Sequence, residues 1–334
     1  MIVIHGVLTT TSPLHTSAGS KGLRLQRDGF VSSKDNDGIP VVSTVNMPLT
    51  VRGRYYGDVP IFPSSGIVGA LRRHASRRVR AALTADGGRM SQPMYYAMQN
   101  GHAPAGQLSG GVATLKQYEA SRGDLFFGMF GGGSMRNAAR YIQSDLVPVI
   151  DQTIDAGLVP EKFADLSPTS SRGIEPWQLV SYRVMRKVDD IGRGRDSGVD
   201  VDLLDDDQRR EAAAAYEVIT PGTPLYFRTQ LAPESTPEQR GLYLLALLDL
   251  LETQQLGGRV HLGWGGVMAQ RFRYVEGVKI RHDLFEQKAD DEGIVTLTGT
   301  PAFKQLVKPA EKALAAMAKA PEAQRERLRE LLGA

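Results

Sequence analysis

Apolar and polar positions follow two different periods along the chain, and the change of period marks its elements. Residues 2–9 alternate and are rich in β-branched side chains, which predicts an opening strand. From residue 64 onwards the apolar positions recur every three or four residues, which predicts a helix with one buried face. That face is formed by Ile67, Leu71, Ala75, Val79 and Ala82.

A second pairing of helix and strand lies near the other end of the chain. A helix is predicted over 237–254, where Thr236 is suited to cap the first turn and Pro237 to occupy its first position. The helix stops before Gly257, and a strand running to Tyr274 follows. Strands are also predicted between the two units, at 145–150, 177–188 and 217–230.

This order of elements predicts an α+β fold, a ferredoxin-like or RRM-like palm with large insertions. One domain is expected over residues 1–300, followed by a C-terminal helix over 301–334. The predicted insertions are a loop or finger region at 10–60, a partly helical segment at 86–140 and a charged, glycine-containing protrusion at 189–208.

Composition limits the chemistry open to the protein. A chain of 334 residues with 41% hydrophobic content can fill a core without disulfides or metals. Cysteine is absent, which excludes disulfides, thiolate metal sites and thiol nucleophiles. The first residues lack a signal-peptide pattern, and no apolar stretch is long enough to span a membrane. We therefore expect a cytoplasmic protein with no membrane partner, no metal and no cofactor.

Positive charge is concentrated in the first part of the chain. Residues 1–150 hold 16 lysines and arginines against 8 aspartates and glutamates, and the rest holds 24 against 29. The net charge of +3 is therefore unevenly distributed. The first part of the chain is basic and has more arginine than lysine, which suits phosphate contacts on one surface. The more acidic half is suited to face another subunit.

The start of the first helix has the composition of an anion-binding site. Ser64 or Ser65 can accept a hydrogen bond from a backbone N–H of the first turn, which leaves other N–H groups and the positive end of the helix dipole for a phosphate. Arg73, Arg77 and Arg80 fall on a face different from the apolar one. The alternative is a capped surface helix with a solvated, charged face.

Three glycine-containing segments add further candidate phosphate contacts. The polar stretch 10–38 is expected to be a long loop that carries Lys21, Arg24 and Arg27. Three glycines at 131–133 permit positive φ and can expose successive N–H groups. They are followed by Ser134 and Arg136 but not by the Gly-Lys-Ser/Thr of a phosphate-binding P-loop. A third glycine-rich loop, at 256–268, contains Gly258, Arg259 and His261.

Three of these segments together, in this order, resemble the CRISPR-associated RAMP superfamily. They are the stretch from Pro63 to Arg72, Phe127-Gly128, and the loop from Gly257 to Gly266. The resemblance is greatest to the type IV, Csf-type backbone subunit of class 1 effector complexes. It implies a thumb hairpin, placed at 189–208, and a chain that coats a guide RNA. Many relatives carry Lys or Arg where this chain has Val68, so one phosphate contact is expected to be missing.

The function implied by the resemblance is crRNA binding in antiviral defence. Copies would oligomerise along the spacer of the single-stranded guide RNA as a helical filament, in a ribonucleoprotein complex with other CRISPR effector subunits. The guide bases would stay exposed to pair with a target DNA or RNA. The expected RNA-binding residues are Lys21, Arg24, Arg27, Ser64, Ser65, Arg72, Arg73, Gly131, Gly132, Gly133, Ser134, Arg136, Gly258, Arg259 and His261.

We expect no enzymatic activity. Type III relatives cleave RNA with an aspartate in the loop after the first strand, but Asp28, Asp35 and Asp37 match no such pattern. The alternative is a metal-independent RNA-processing endonuclease of the same superfamily, with His15 as the general base. A globular structural subunit without nucleic acid is a third possibility, which the clustered arginines disfavour.

Overall fold

The computed structural model describes most of the chain. The described residues are 1–18, 20–26, 29–32, 39–101, 115–132, 137–168, 173–187, 212–253, 255–278, 280–289 and 295–332. The helices are α1 (Ser64–Leu83), α2 (Gln92–Asn100), α3 (Leu115–Gly123), α4 (Phe127–Phe130), α5 (Asp151–Asp155), α6 (Pro237–Thr253), α7 (Pro301–Lys319) and α8 (Pro321–Leu332). Short 3-10 turns cover Glu161–Leu166, Pro176–Leu179 and Val260–Leu262.

The strands follow the same chain order. They are β1 (Ile2–Thr10), β2 (Ser20–Gln26), β3 (Gly29–Ser32), β4 (Ile39–Val42), β5 (Asn46–Val51), β6 (Arg54–Pro60), β7 (Tyr141–Gln143), β8 (Val147–Pro148), β9 (Val180–Lys187), β10 (Ala212–Ile219), β11 (Pro224–Leu231), β12 (Val267–Glu276), β13 (Ile280–Asp283), β14 (Phe285–Ala289) and β15 (Val295–Gly299).

The largest sheet, here called the palm sheet, has the strand order β13–β12–β1–β11–β7, with β8 also paired to β11. All neighbours in it are antiparallel. Along the chain its central elements occur as β1, α1, β7, β11, α6 and β12. The four strands of that series therefore lie side by side in the order fourth, first, third, second, which is the ferredoxin-like arrangement. The predicted fold class is confirmed.

The palm sheet ends in short strands on both sides. The edge strand β13 has four residues, all of them exposed, and the opposite edge strand β7 has three. The residues of β13 include Arg281, His282 and Asp283, so this edge is charged as well as short.

One face of the palm sheet is buried under α1 and α6. Ile4 and Leu8 of β1 and Phe227 of β11 point into this main core, with Leu71 of α1 and Leu247 of α6 packed among them. The start of α6 agrees with the prediction: Thr236 Oγ1 accepts from the N–H of Gln239 at 3.3 Å, and Gln239 Oε1 accepts from the N–H of Thr236 at 3.2 Å. This reciprocal pair caps the helix.

The other face of the palm sheet is covered at one end by a smaller core. Val7 of β1 and Tyr226 of β11 pack there against Phe163 of the 3-10 turn Glu161–Leu166. His5, two residues before Val7, is only 7% exposed, and its ring meets Phe163 edge-on at 5.7 Å. Burial, followed by the positive charges of Lys162 and nearby arginines, lowers the pKa of His5 to about 4.

This histidine makes the stability of the protein sensitive to acid. Below pH 6.5 the unfolded chain binds a proton at His5 that the folded chain does not, so stability falls as the pH drops from about 7 to about 4. At about 1.4 kcal/mol per pKa unit, and allowing for solvent screening, we expect a loss of about 2 kcal/mol. Urea unfolding across this pH range should show the loss in the wild type and much less of it in His5→Gln. The exposed His282→Gln is the control, and equal slopes in all three proteins would contradict the prediction.

A second sheet has the order β3–β2–β4–β10–β9. The prediction of one long loop over 10–38 is therefore wrong, because β2 and β3 lie within it. Leu23 and Leu25 alternate with Arg24 and Gln26, a strand period that the many polar residues nearby concealed. The predicted protrusion at 189–208 lies outside the described residues, between β9 and β10 in the chain.

The single C-terminal helix predicted over 301–334 is two helices in the described residues, α7 and α8. Pro321 lacks an N–H and fits the first turn of a helix, so it begins α8 rather than continuing α7. Arg325 of α8 contacts both carboxylate oxygens of Asp86 at 2.8 Å and donates to the carbonyl of Leu83 at 2.5 Å. These bonds attach α8 to the end of α1.

Candidate nucleic-acid interface

Two segments predicted to contact RNA meet at the end of β1. The glycine-rich loop docks along the residues that follow β1: Gly265 N–H donates to the Pro13 carbonyl at 2.8 Å, and Gly258 N–H donates to the His15 carbonyl at 3.1 Å. The N–H of Thr11 in turn donates to the carbonyl of Gly266 at 2.8 Å. The loop after β1 and the glycine-rich loop therefore form one surface.

Glycine is required at two places in this contact. Gly257 has φ +80°, and a Cβ there would lie 2.5 Å from the His15 carbonyl oxygen and 3.3 Å from the Phe62 ring. Gly265 has φ +82°, and a Cβ there would collide with the carbonyl oxygen of Leu256. Both positions combine a left-handed backbone with a close approach of another main chain, which other residues do not tolerate.

Arg259 and Trp264 of this loop pack with His15 and Tyr216, and these four side chains are here called the aromatic platform. Tyr216 of β10 meets His15 edge-on at 5.2 Å and Trp264 at 6.0 Å. The guanidinium of Arg259 lies 4.8 Å from the centre of the Tyr216 ring, and its Nη2 donates to the Tyr216 hydroxyl. Arg259 is half-buried, and Gly258 and His261 beside it are exposed. The platform thus holds a positive charge at a surface with accessible backbone.

His15 is a structural member of the platform. Its Nδ1 lies 2.8 Å from the Glu217 carbonyl, and because a carbonyl only accepts, Nδ1 carries the proton. The ring is 4% exposed, and burial is the main cause that lowers the pKa of His15. The imidazole is therefore neutral at pH 7 but shielded from a bound substrate.

The serines at the start of α1 do not cap it. The N-cap residue is Pro63, no side-chain cap bond is present there, and the N–H of Ser64 donates to Asp145 Oδ1 at 2.6 Å. A carboxylate of the protein thus occupies the positive end of the helix dipole, where a phosphate was expected. Ser65 is exposed on the first turn.

Neighbouring arginines of α1 have opposite environments. Arg72 is 9% exposed, and its guanidinium donates to the carbonyls of Phe130 and Gly131, the latter at 3.1 Å, and to Ala97 at 3.5 Å. This gives Arg72 a structural role in place of the predicted phosphate contact. Arg73 and Arg77 are exposed, and none of the described carboxylates lies within ion-pair distance of either.

The remaining predicted residues fall into two groups. Gly131 is buried, and Gly132 packs its backbone against Gly101, so these glycines serve close packing beside Arg72. Lys21 and Arg24 lie on β2, where the structure describes only the backbone. Outside the described residues are Arg27, Gly133, Ser134 and Arg136, together with Asp28, Asp35 and Asp37.

Tyr216 and Trp264 were not predicted to belong to the site. Trp264 stands inside the glycine-rich loop, and a tryptophan between glycines is itself a signal of a ring held at a surface. Tyr216 had no such signal, because its partners His15 and Arg259 are distant in the chain.

The RAMP superfamily model matches residues 7–267, most of the chain, and the protein belongs to this superfamily. No curated protein sequence matches it. Among solved structures, the chain is similar to one described as "Type IV-B CRISPR Complex", with TM-score 0.48 and 17% identity over 85% of this chain and 94% of that one. It is also similar to a chain of "Cryo-EM structure of the Type III-B Cmr-beta bound to cognate target RNA", with TM-score 0.37, 12% identity and coverage of 82% and 61%.

The described part of the chain contains neither a membrane-spanning helix nor a metal-binding cluster of side chains. None of its helices is both long and apolar enough to cross a membrane. No group of three or more histidine, aspartate or glutamate side chains in the described ranges is arranged to hold a metal ion.

Proposed function

We propose that the protein is a crRNA-binding backbone subunit of a type IV CRISPR ribonucleoprotein complex. Membership of the RAMP superfamily supports the class, and the resemblance in the sequence motifs supports the type. The single observation that carries the proposal is the docked glycine-rich loop, which presents Arg259 over Tyr216 next to exposed backbone at the end of the palm sheet. Arg73 and Arg77 extend positive charge over the outside of α1.

In this proposal the protein binds the sugar-phosphate backbone and makes no sequence-specific contacts with the bases. Guanidinium groups and N–H groups contact phosphates, so binding is sequence-independent and weakens with salt. The bases stay available to pair with a target DNA or RNA. Because each copy grips few nucleotides, neighbouring copies and other effector subunits increase retention, and assembly into a filament is cooperative.

We propose that the chain binds RNA without cleaving it. A general base must come within hydrogen-bond reach of the hydroxyl it deprotonates. The buried ring of His15 instead supports the glycine-rich loop, whose Gly258 N–H bonds the His15 carbonyl. The endonuclease alternative therefore has less support than the binding role.

The first test uses two arginines that share a backbone conformation. Arg259 and Arg52 both have positive φ, at 64° and 49°, and asparagine tolerates this region better than most residues. Arg259→Asn should reduce co-purified RNA severalfold and lower the slope of log affinity against log salt by about 0.7, the value for one lost phosphate contact on a single strand. Arg52→Asn, on the β5–β6 turn, should leave both unchanged.

The measurements are the size of nucleic acid extracted from the purified chain and the binding of a labelled single-stranded RNA over a salt series. Equal RNA retention by Arg259→Asn and wild type would remove the glycine-rich loop from the interface. A nucleic-acid-free monomer that cuts added RNA, and stops cutting in His15→Ala, would instead support the endonuclease.

A further inference from the structure

The face of the palm sheet opposite α1 and α6 carries a row of basic residues. In the strand register His5 lies directly across from Arg228 on one side and Arg273 on the other. Residues directly opposite in a sheet point to the same face, so the three side chains share it. Val275 lies across from Val3 and Arg281, which brings Arg281 to the same face on the next strand.

A lysine from outside the sheet completes this group. Lys162, on the 3-10 turn Glu161–Leu166, places its Nζ 3.1 Å from His5 Nε2 and 5.1 Å from the centre of the Phe163 ring. Arg273 and Arg281 are exposed and Arg228 is half-buried. We call Lys162, Arg228, Arg273 and Arg281 the basic sheet face.

Carboxylates neutralise only part of this surface. Asp283 Oδ1 lies 2.7 Å from Arg273 Nε, and Asp165 pairs with the neighbouring Arg271 at 2.5 Å. Within the described ranges, no carboxylate lies at ion-pair distance from Lys162, Arg228 or Arg281. Three positive charges therefore lie around His5 with no ion-pair partner among the described residues.

A buried nitrogen atom of His5 is a second, independent indication that this surface binds an anion. An ammonium group only donates, so His5 Nε2 accepts from Lys162 and the ring proton lies on Nδ1. That buried Nδ1 has no hydrogen-bond partner among the described residues, in a side chain that is 7% exposed. Buried polar atoms without partners are rare in native proteins and call for an explanation, of which a missing ion is one.

The chemistry of the face favours phosphate groups over other anions. Three of its four cations are arginines, whose planar guanidinium groups fit phosphate oxygens bidentately. The strands keep the three arginines on one face of the palm sheet, where Arg273, Arg281 and Ile142 are exposed, Ile142 by 69%. Phe163 and Tyr226, the rings of the smaller core beside His5, are only 2% and 5% exposed, so they offer no surface on which bases could stack.

We propose that the basic sheet face binds the phosphate backbone of a single-stranded nucleic acid at a site separate from the aromatic platform. His5 and Thr10 are five residues apart on β1, or about 17 Å along the strand, so the two sites are distinct. This site goes beyond the proposed guide interface and does not require it. In this proposal one chain has two phosphate-binding surfaces, one on the palm sheet and one at the glycine-rich loop and β10.

The test compares a variant that lacks three positive charges on this face with a control that lacks three positive charges elsewhere. The variant Lys162→Gln, Arg228→Gln, Arg281→Gln should bind a labelled oligouridylate at least about tenfold more weakly, with a salt slope smaller by about 2. The control Lys304→Gln, Lys308→Gln, Lys312→Gln makes the same change of charge on exposed positions of α7 and should bind nearly as well as the wild type. All proteins are full-length and stripped of RNA before measurement.

Two additions keep the outcome clear. The double variant Arg228→Gln, Arg281→Gln leaves the contact between Lys162 and His5 intact, so it serves if the triple variant unfolds. Arg259→Asn, measured in parallel, separates the two sites. If only Arg259→Asn loses binding, the proposal for the basic sheet face is wrong and the guide interface is retained. If only the triple variant loses binding, the basic sheet face is retained and the guide interface at Arg259 is wrong. Loss of poly-glutamate binding with unchanged oligouridylate binding would assign the face to an acidic protein and overturn the proposal.

Discussion

Replacing Arg72 with alanine is expected to lower the free energy of unfolding by about 3–5 kcal/mol. The guanidinium of Arg72 is buried and donates to the carbonyls of Ala97, Phe130 and Gly131. Without it three carbonyl oxygens lose a strong donor, each at a cost of about 1–3 kcal/mol where water cannot replace it. The measurement is equilibrium unfolding in urea.

The control for this substitution is the next residue along the chain. Arg73 is exposed, so Arg73→Ala should change the free energy of unfolding by no more than about 0.5 kcal/mol. Arg72→Lys should fall between the two, since one ammonium cannot reach three carbonyls in the geometry of a guanidinium. If Arg72→Ala and Arg73→Ala unfold at the same urea concentration, the buried position of Arg72 is wrong.

A substitution in the glycine-rich loop should have a comparable effect on stability and a larger one on RNA binding. Gly265→Ala forces a Cβ onto the Leu256 carbonyl in a left-handed backbone. It should also weaken the bond from Gly265 N–H to Pro13 that docks the loop. Strain and overpacking each cost about 1–3 kcal/mol, so we expect a loss of about 3 kcal/mol or displacement of the loop. RNA affinity should fall with the displaced Arg259.

Gly263→Ala is the matched control in the same loop. Gly263 has φ +77°, but nothing lies within 4 Å of a Cβ there, so only the backbone strain of about 1 kcal/mol remains. Urea unfolding and binding of single-stranded RNA should both distinguish the two variants. Equal effects would mean that the contact of Gly265 with Leu256 does not determine the loop conformation.

Local patterns were sufficient to predict the main elements of the palm. The alternation in β1, the apolar spacing of α1 and the Thr236-Pro237 start of α6 each depend on residues close in sequence, and the structure contains all three. The strands β2 and β3 were missed because polar residues hide a short alternating pattern, and a polar strand depends more on its neighbours in a sheet.

The site was harder to predict because its contacts join distant parts of the chain. The cap of α1 comes from Asp145, far along the sequence from Ser64, so no motif at the helix start reveals it. Arg72 and Arg73 are the same residue type, and their side chains point roughly 100° apart on the helix. Which of the two is buried depends on the carbonyls near Phe130, to which Arg72 donates. The basic sheet face likewise needs the register of four strands before it exists as a surface.

The short edges of the palm sheet, one of which is charged, affect how copies of the chain can meet. A neighbouring chain that extended the sheet would meet four exposed residues at β13, of which Arg281 and Asp283 are charged, or three residues at β7 and two at β8. Short edges with charged side chains disfavour the strand-to-strand pairing by which proteins aggregate. Copies lined up along a polymer would then be held by side chains and by the polymer itself. If the chain coats RNA as we propose, copies would stay unassembled until that RNA is made, and the amount of assembly would depend on the supply of RNA.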